Sequence, residues 1–266
     1  KAKPLAELPG VALVQGDYSS AGALASAFEG VEAAFVGLAN FEDQVAAEKA
    51  VIDAAAAAPT CKYLVKLGTC GAPGYTDKDS VIQYGRYHVE IEAHLAASPL
   101  QWTALRPNWF MQNHMGDIMG TLPLGIIAYP VPETAEQAMV DTRDVGDLAA
   151  ALLTLSPEAR AKHAGQTYNV CGPESVSPTR LAALYTAALG RDIAPVPTTA
   201  EDWAANAEKA GFPPWLAKAV SLSCSEFWAK GSLSYPSSDA VLELKAPQRT
   251  IEQWIAEHAP LSPPPA

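Results

Sequence analysis

The sequence predicts an α/β fold in which helices cover both faces of a doubly wound parallel sheet. Through the first half of the 266 residues, short apolar runs alternate with longer segments of helical spacing. This alternation is typical of parallel strands that are joined by crossover helices. The second half has fewer strand patterns, and its segment 195–231 is helical in spacing and rich in aromatic residues. We therefore expect a small, mainly helical C-terminal lobe beside the sheet.

Short apolar runs predict the strands, and turn residues mark where several of them stop. Gly16 and Asp17 close the first run, and Pro107 ends a later one because proline restricts the backbone before it. In chain order, the predicted strands are residues 11–14, 33–38, 63–67, 102–105, 126–129 and 166–170.

Helical spacing together with capping residues predicts the helices. Ser20 precedes the first helix and Gly30 ends it, as N-caps and C-terminal glycines do. Ser177 followed by Pro178 opens another helix in the same way. In chain order, helices are predicted from Ser20 to Gly30 and over residues 41–58, 79–97, 141–155, 178–189 and 250–258, with further helical turns between 195 and 231.

The composition argues against several classes of function. The net charge is −11 and the basic residues are scattered, whereas a nucleic-acid surface needs clustered lysine and arginine. No apolar run approaches the roughly 18 residues of a membrane span. The four cysteines form no C-x-x-C pair and have no histidines at zinc spacing, so we expect no metal site.

The cysteines also bear on the compartment. Four cysteines without a disulfide-like or zinc-like pattern favour a reducing compartment, and we expect the cytoplasm. The first residue is lysine rather than methionine, so we expect the natural N-terminus and any targeting peptide to lie outside this sequence.

The order of the segments carries a resemblance to a known family. The seven stretches that match it in order are GVALVQGDYSSAGALASAFEGVEAAFVGL, DQVAAEKAVIDAA, KYLVKLGTCGA, YHVEIEAHLAASPLQWTALRPNWFMQN, VDTRDVGDLAAALL, TYNVCGPESVSPTRLAALYTAALGR and TIEQWIAEH. From Leu5 to about His258 the chain thus resembles the NmrA-like branch of the atypical short-chain dehydrogenases/reductases. The resemblance implies a Rossmann sheet over residues 1–155 and a substrate lobe over 156–266, interleaved with the last strands and helices of the core.

The resemblance implies one of two functions. The first is NAD(P)H-dependent reduction of a quinone or another small carbonyl compound. The second is a non-catalytic role, in which a degenerate Rossmann scaffold senses a dinucleotide or serves as a subunit of a larger assembly. The expected partners are a small-molecule substrate and either another protein or a second copy of the chain. From the composition we expect no nucleic-acid partner and no membrane span.

Compared with that family, the chain starts at what resembles the third strand of the Rossmann unit. No strand, glycine-rich turn and helix precede this segment, although that turn holds the pyrophosphate of a bound dinucleotide. Without a neighbour, the strand over 33–38 would be an open apolar edge. We expect residues outside this sequence to supply the missing unit; otherwise the strand over 11–14 would pair with the strand over 33–38.

Three residues are predicted to act in catalysis by this resemblance. Short-chain reductases carry a tyrosine and a lysine four residues apart on one helix face, where the cation activates the phenol as a proton donor. Tyr84 and His88 have that spacing, but histidine is neutral for much of the time near pH 7 and activates the phenol less. The alternative is that both side chains only line a half-buried face. Thr69 stands where the family often has a serine that binds the substrate carbonyl.

The resemblance also implies which residues meet an NAD(P) cofactor. Asp17 resembles the acid on the adenine side, although it could equally be a helix cap. Lys1 and Lys3 lie near the expected 2′-phosphate, which slightly favours NADP over NAD, although a disordered basic chain end explains both residues more simply. A chain that binds no dinucleotide also stays open. The cofactor-binding residues predicted are Asp17, Gly37, Leu38, Asn40, Lys66, Gly68, Pro107, Asn108 and Phe110.

Overall fold

The main sheet of the protein contains parallel strands in the order β1-β2-β3-β5, as seen in a computed structural model that describes residues 3–264. Strands β4 and β6 form a second, two-stranded parallel sheet. Lys1 and the side chain of Lys3, on which the preference for NADP depends, lie outside the described part of the chain. The strands are β1 (Ala33–Val36), β2 (Tyr63–Leu67), β3 (Gln101–Pro107), β4 (Ile126–Tyr129), β5 (Gln166–Val170) and β6 (Ala194–Pro197).

Helices follow most of the strands. Single 3-10 turns span Met111–His114, Leu122–Leu124 and Ala259–Leu261, and one π-helical segment spans Ser223–Trp228. The α-helices are α1 (Lys3–Ala6), α2 (Ala21–Ala27), α3 (Gln44–Ala57), α4 (Gln83–Ala97), α5 (Met115–Met119), α6 (Thr142–Leu153), α7 (Pro157–Arg160), α8 (Pro178–Leu189), α9 (Ala200–Lys209), α10 (Pro214–Leu222), α11 (Asp239–Lys245) and α12 (Ile251–His258).

Helices cover both faces of the main sheet, which confirms the predicted doubly wound α/β fold. Successive side chains of a strand point to opposite faces, and β2 shows this division. Leu64 packs with the buried residues of α3 and α4, such as Ile52 and Ile91. Its neighbour Val65 packs on the other face with residues of α6, such as Leu148. The core therefore consists of two apolar layers with the sheet between them.

Local capping explains why several helices begin where the sequence predicts. The Ser20 hydroxyl accepts the Ala23 N–H ahead of α2, and the Ser177 hydroxyl accepts the Arg180 N–H ahead of α8. Thr250 forms a capping box with Gln253 ahead of α12. Each cap satisfies N–H groups that the first turn of a helix leaves free.

The predicted strand over residues 11–14 is wrong. This segment is an exposed coil, and Val11, Leu13 and Val14 are open to solvent. A strand needs a hydrogen-bonded neighbour, and within residues 3–264 the segment pairs neither with β1 nor with any other strand. Strand β1 is accordingly the edge of the described sheet, and its Phe35 is 42% exposed.

The prediction of helical turns over residues 195–231 is wrong at the start of that segment. Pro195 and Pro197 favour extended backbone over a helix, and the residues from Ala194 to Pro197 form β6, paired in register with β4. The helix predicted from residue 79 begins at Gln83, because the Ser80 hydroxyl accepts the Ile82 N–H and holds the preceding residues in a turn. Between residues 3 and 264, every helix is too short or too polar to cross a membrane.

Candidate functional site

A cavity of about 590 Å³ lies between the carboxyl ends of β1, β2 and β3 and the helices of the lobe. Ligands of doubly wound sheets bind at this edge, outside the carboxyl ends of the strands. Segments that follow the strands form the floor of the cavity, while α5, α9, α10 and β4 supply the opposite wall. The site is therefore built jointly by the sheet and the lobe.

Most of the residues predicted from the sequence meet in this cavity. Asp17, Gly37 and Lys66 do not line it. The predicted residues that do line it are Leu38, Asn40, Gly68, Thr69, Tyr84, His88, Pro107, Asn108 and Phe110. The structure thus brings these side chains together, and their roles stay predictions.

Asp17 lies apart from the cavity on an exposed turn. Its Oδ1 accepts hydrogen bonds from the Ser19 hydroxyl at 2.6 Å and from the Ser19 N–H at 2.8 Å. These bonds lower the pKa of the Asp17 carboxyl. The following helix is capped by Ser20 rather than by Asp17, so within the described residues the carboxylate only stabilises its own turn.

Three hydroxyl groups form a chain along the cavity wall. The Tyr84 and Tyr75 hydroxyls lie 2.6 Å apart, and the Tyr75 hydroxyl lies 2.8 Å from the hydroxyl of Ser223. All three residues line the cavity. Burial raises the pKa of both Tyr84 and Tyr75, so the two phenols keep their protons at neutral pH. The arrangement can donate a proton to a bound molecule and replace it along the chain.

Tyr75 and Ser223 were not predicted from the sequence, because each joins the hydroxyl chain through an irregular feature of the backbone. Ser223 begins the π-helical segment that continues α10, and such segments occur often at functional sites. Gly85 admits Tyr75, since a Cβ at Gly85 would lie 2.2 Å from the Tyr75 carbonyl oxygen. A glycine directly after the predicted catalytic tyrosine was the signal that the sequence offered.

We expect Gly85→Ala to destabilise the fold by about 1–3 kcal/mol, the usual range for overpacking. The added Cβ would meet backbone, which cannot rotate away. Gly146→Ala is the matched control, because it also lies in a helix but has no atom within 4 Å of the added Cβ. Helix propensity should make that variant more stable by roughly 1 kcal/mol. Urea unfolding of both variants checks the contrast, and equal destabilisation would contradict it.

A buried ionic group lies behind His88, beneath the cavity floor. The Lys66 ammonium is 2.8 Å from Glu48 Oε2 and 3.3 Å from His88 Nδ1. Lys66 is 1% exposed and Glu48 is fully buried. Gln44 donates to Glu48 Oε1 at 2.9 Å. Burial lowers the pKa of Lys66, and the attraction of Glu48 opposes that shift.

This group changes the interpretation of Lys66. The resemblance implied contact between Lys66 and the cofactor, whereas the side chain points away from the cavity lining and supports His88 from behind. Gln44 and Glu48 were not predicted. They lie four residues apart on the face of α3 that also buries Val51 and Ile52. Polar residues at the helical spacing of buried apolar ones were therefore the signal in the sequence that could have indicated a buried polar group.

The protonation of His88 gives a prediction for stability against pH. Burial lowers the pKa of His88 well below 6.5, and the charges of Lys66 and Arg106 lower it further. Below pH 6.5 the unfolded chain therefore binds a proton that the folded chain does not, and stability falls by up to about 1.4 kcal/mol per pH unit. Above pH 6.5 this contribution is constant.

His88→Gln removes the titrating group, so we expect a flatter loss of stability in acid for this variant than for the unmodified protein. The measurement is urea unfolding at pH 7, 6 and 5. Parallel curves for the two proteins would mean that His88 does not carry the effect.

The amides along the cavity differ in what they can still bind. Asn108 Oδ1 accepts the Trp109 N–H at 2.7 Å, and its Nδ2 donates to the Leu233 carbonyl at 2.9 Å. The side chains of Asn40 and Asn113 line the cavity and make no hydrogen bond to another described residue. Asn108 therefore anchors the loop after β3, while Asn40 and Asn113 are available to a ligand.

The edge of the sheet fits one half of a dinucleotide. Gly68 lines the cavity, and a Cβ there would lie 3.1 Å from the Leu105 carbonyl oxygen, so packing behind the strand end requires a glycine at this position. The available amide of Asn40 and the hydroxyl of Thr69 supply polar groups beside it. These residues suit a nicotinamide with its carboxamide, which needs both an apolar surface and a few polar partners.

Residues 3–264 contain no comparable binding site for the phosphates of a dinucleotide. Gly68, Gly71 and Gly74 follow β2 with the spacing G-x-x-G-x-x-G. Helix α4 begins only at Gln83, and a Cβ at Gly71 would lie 2.0 Å from Asn169 Oδ1. Gly68 and Gly71 are therefore required by packing and Gly74 by its positive φ of 79°, and these glycines do not form the strand–turn–helix contact that binds pyrophosphate.

Comparisons with known proteins identify a family and several relatives of the chain. Residues 1–155 match the family described as NAD(P)H-binding. The chain is 30% identical over 253 residues to the NAD(P)H azoreductase of Xenophilus azovorans, covering 94% of this chain and 83% of that protein.

Two solved structures resemble the chain over nearly its full length. The NADPH-dependent quinone oxidoreductase of Escherichia coli, complexed with NADPH, aligns with a TM-score of 0.79 and 25% identity over 98% of this chain and 86% of that one. The negative transcriptional regulator NmrA in complex with NAD aligns with a TM-score of 0.76 and 18% identity, covering 98% of this chain and 84% of that one. At this identity the likeness is one of fold. The predicted resemblance to NmrA-like proteins and the predicted class of cofactor are thus confirmed.

Proposed function

Because this chain belongs to the NAD(P)H-binding family, we propose that it is an NAD(P)H-dependent reductase of a quinone or another small carbonyl compound. The observation that carries the proposal is the pair of protonated phenols, Tyr84 and Tyr75, in a cavity with aromatic walls at the carboxyl edge of the sheet. Relatives named as an azoreductase and as a quinone oxidoreductase support it.

The chain's own residues would orient the substrate and move a proton. Asn40, Gly68 and Thr69 would be among the groups that hold a nicotinamide, which would supply the hydride when bound. The substrate oxygen gains negative charge as the hydride reaches the ring or carbonyl carbon, and the Tyr84 hydroxyl donates the balancing proton. Tyr75 can then return a proton to Tyr84 through their 2.6 Å contact. The result is one hydride and one proton added to the substrate.

The proposal extends to the organisation of the chain and its surroundings. Residues 1–155 form the cofactor-binding core and 156–266 the substrate lobe, which shares β5 with the main sheet. The cofactor is NADP rather than NAD, and the site of action is the cytoplasm. Support for the compartment comes from the cysteines, which all carry free thiols.

The test is a pair of measurements on the full chain. NADPH binding is followed by the fluorescence of the reduced nicotinamide and by thermal shift, and turnover by the loss of NADPH absorbance in the presence of a naphthoquinone. We expect saturable binding and quinone-dependent oxidation of NADPH. Absence of binding in both assays would overturn the proposal for this chain.

A second function, a non-catalytic dinucleotide sensor, is favoured by one specific observation. His88 occupies the position of the activating lysine, and its lowered pKa keeps it neutral, while burial raises rather than lowers the pKa of Tyr84. The same experiment separates the two functions. Binding of NADPH without turnover of any quinone would favour the sensor, and turnover would exclude a purely non-catalytic role.

A further inference from the structure

We propose that Asp117 makes this cavity selective for aromatic ligands that carry a positively charged nitrogen. The inference rests on the proposed function only in taking the cavity as the substrate site. It adds the charge and the ring character of the substrate, which we argue from Asp117 and the aromatic residues of the same cavity.

Asp117 is the one acidic side chain among the described residues that line the cavity, and within residues 3–264 no lysine or arginine lines it. The carboxylate comes from α5 and stands on the wall opposite the sheet, 8% exposed. A single carboxylate in an apolar, weakly screened cavity attracts a cation more strongly than the same group does at the surface.

The hydrogen bonds of Asp117 leave one of its oxygens for a ligand. Oδ2 accepts the Tyr129 hydroxyl at 2.5 Å and lies 2.7 Å from His114 Nδ1. Oδ1 has only the Thr121 hydroxyl, at 3.5 Å. Tyr129 and His114 are both buried and hold the carboxylate in place. Asp117 is therefore fixed through one oxygen and keeps acceptor capacity on the other.

The rings around the carboxylate suit the same ligand. The aromatic residues of the cavity wall that accompany Asp117 are Trp109, Tyr129, Trp203 and Phe212. Aromatic faces stack on ring-bearing ligands and attract cations through their quadrupoles. The protein also carries 29 acidic against 18 basic residues, so its net charge attracts cations and repels anions. Carboxylate, rings and net charge all favour an aromatic cation.

The test uses three naphthoquinones that differ in one substituent, which is dimethylammoniomethyl, methyl or sulfonate, so that the cationic compound carries an N–H donor for Asp117. Binding is measured without any nicotinamide, by quenching of the fluorescence of Trp109 and Trp203, which line the cavity. We expect the cationic quinone to bind about tenfold to a hundredfold more tightly than the methyl compound, the range for a contact with a charged group. We expect the sulfonate to bind most weakly.

Asp117→Asn keeps the shape of the side chain and removes its charge, so the three affinities should converge to within about threefold. The matched control is Asp53→Asn, because Asp53 also contacts a histidine at 2.7 Å but does so at the surface. That variant should keep the full preference.

Equal binding of the three quinones by the unmodified protein, or tightest binding of the sulfonate, would overturn the inference whatever the variants do. Because binding is read without cofactor, a chain that selects the cation but turns over no quinone contradicts only the proposed function. A chain that reduces all three quinones with equal affinity contradicts only the role of Asp117.

Discussion

Replacing Lys66 with methionine is expected to destabilise the fold by about 3–5 kcal/mol, because it leaves the Glu48 carboxylate buried without its cation. The two side chains are 1% and 0% exposed and lie 2.8 Å apart. An ion that loses its partner in such surroundings has neither water nor an opposite charge to stabilise it. Urea unfolding at pH 7 measures the loss, which should exceed that of any other single substitution considered above.

The matched control is the neighbouring ion pair of Lys49 and Glu90, which joins α3 and α4 at the surface. Lys49→Met should change the free energy of unfolding by less than about 1 kcal/mol, because exposed ion pairs contribute little.

A double variant, Lys66→Met with Glu48→Gln, should recover much of the stability, since the amide introduced in place of Glu48 would keep a partner in Gln44 without burying a charge. A double variant as unstable as Lys66→Met alone would show that lost packing, and not the unpaired carboxylate, dominates.

The sequence predicts the elements of this fold well where local signals decide them. Strand β2 and helix α8 occur at the predicted residues, because an apolar run and a Ser-Pro cap act over a few neighbours. The strand over 11–14 fails for the opposite reason. Its apolar run is as good as the others, but a strand depends on a partner that lies elsewhere in the chain.

The residues of the candidate site were predictable from the sequence only where local spacing places them together. Tyr84 and His88 could be found because their spacing places both on one turn of α4. Tyr75 and Ser223 could not, since they are 148 positions apart and meet only through the lobe. Asp117 was missed because a carboxylate in a short helix is usually solvated, and only the folded chain turns this one into the cavity.

Tyr84→Phe is expected to lower kcat for quinone reduction by about a hundredfold, near the lower end of the range for a positioned proton donor. The hydroxyl is the group of Tyr84 that the proposed reaction uses, while its ring packs in the core. Because the substitution removes only an oxygen atom, the affinity for NADPH should stay within about twofold, so the loss is specific to the proton step. Steady-state kinetics and a fluorescence titration measure the two quantities.

Tyr87→Phe separates this role from a general loss of hydroxyl groups on α4. Tyr87 lies three residues further on, where its hydroxyl accepts from Gln83 Nε2 and its ring packs near Trp215. It does not line the cavity, so its kcat should stay within about threefold of the unmodified protein. Full activity in Tyr84→Phe would assign the proton to another donor, and equal losses in both variants would mean that packing of the helix, rather than the phenol, limits turnover.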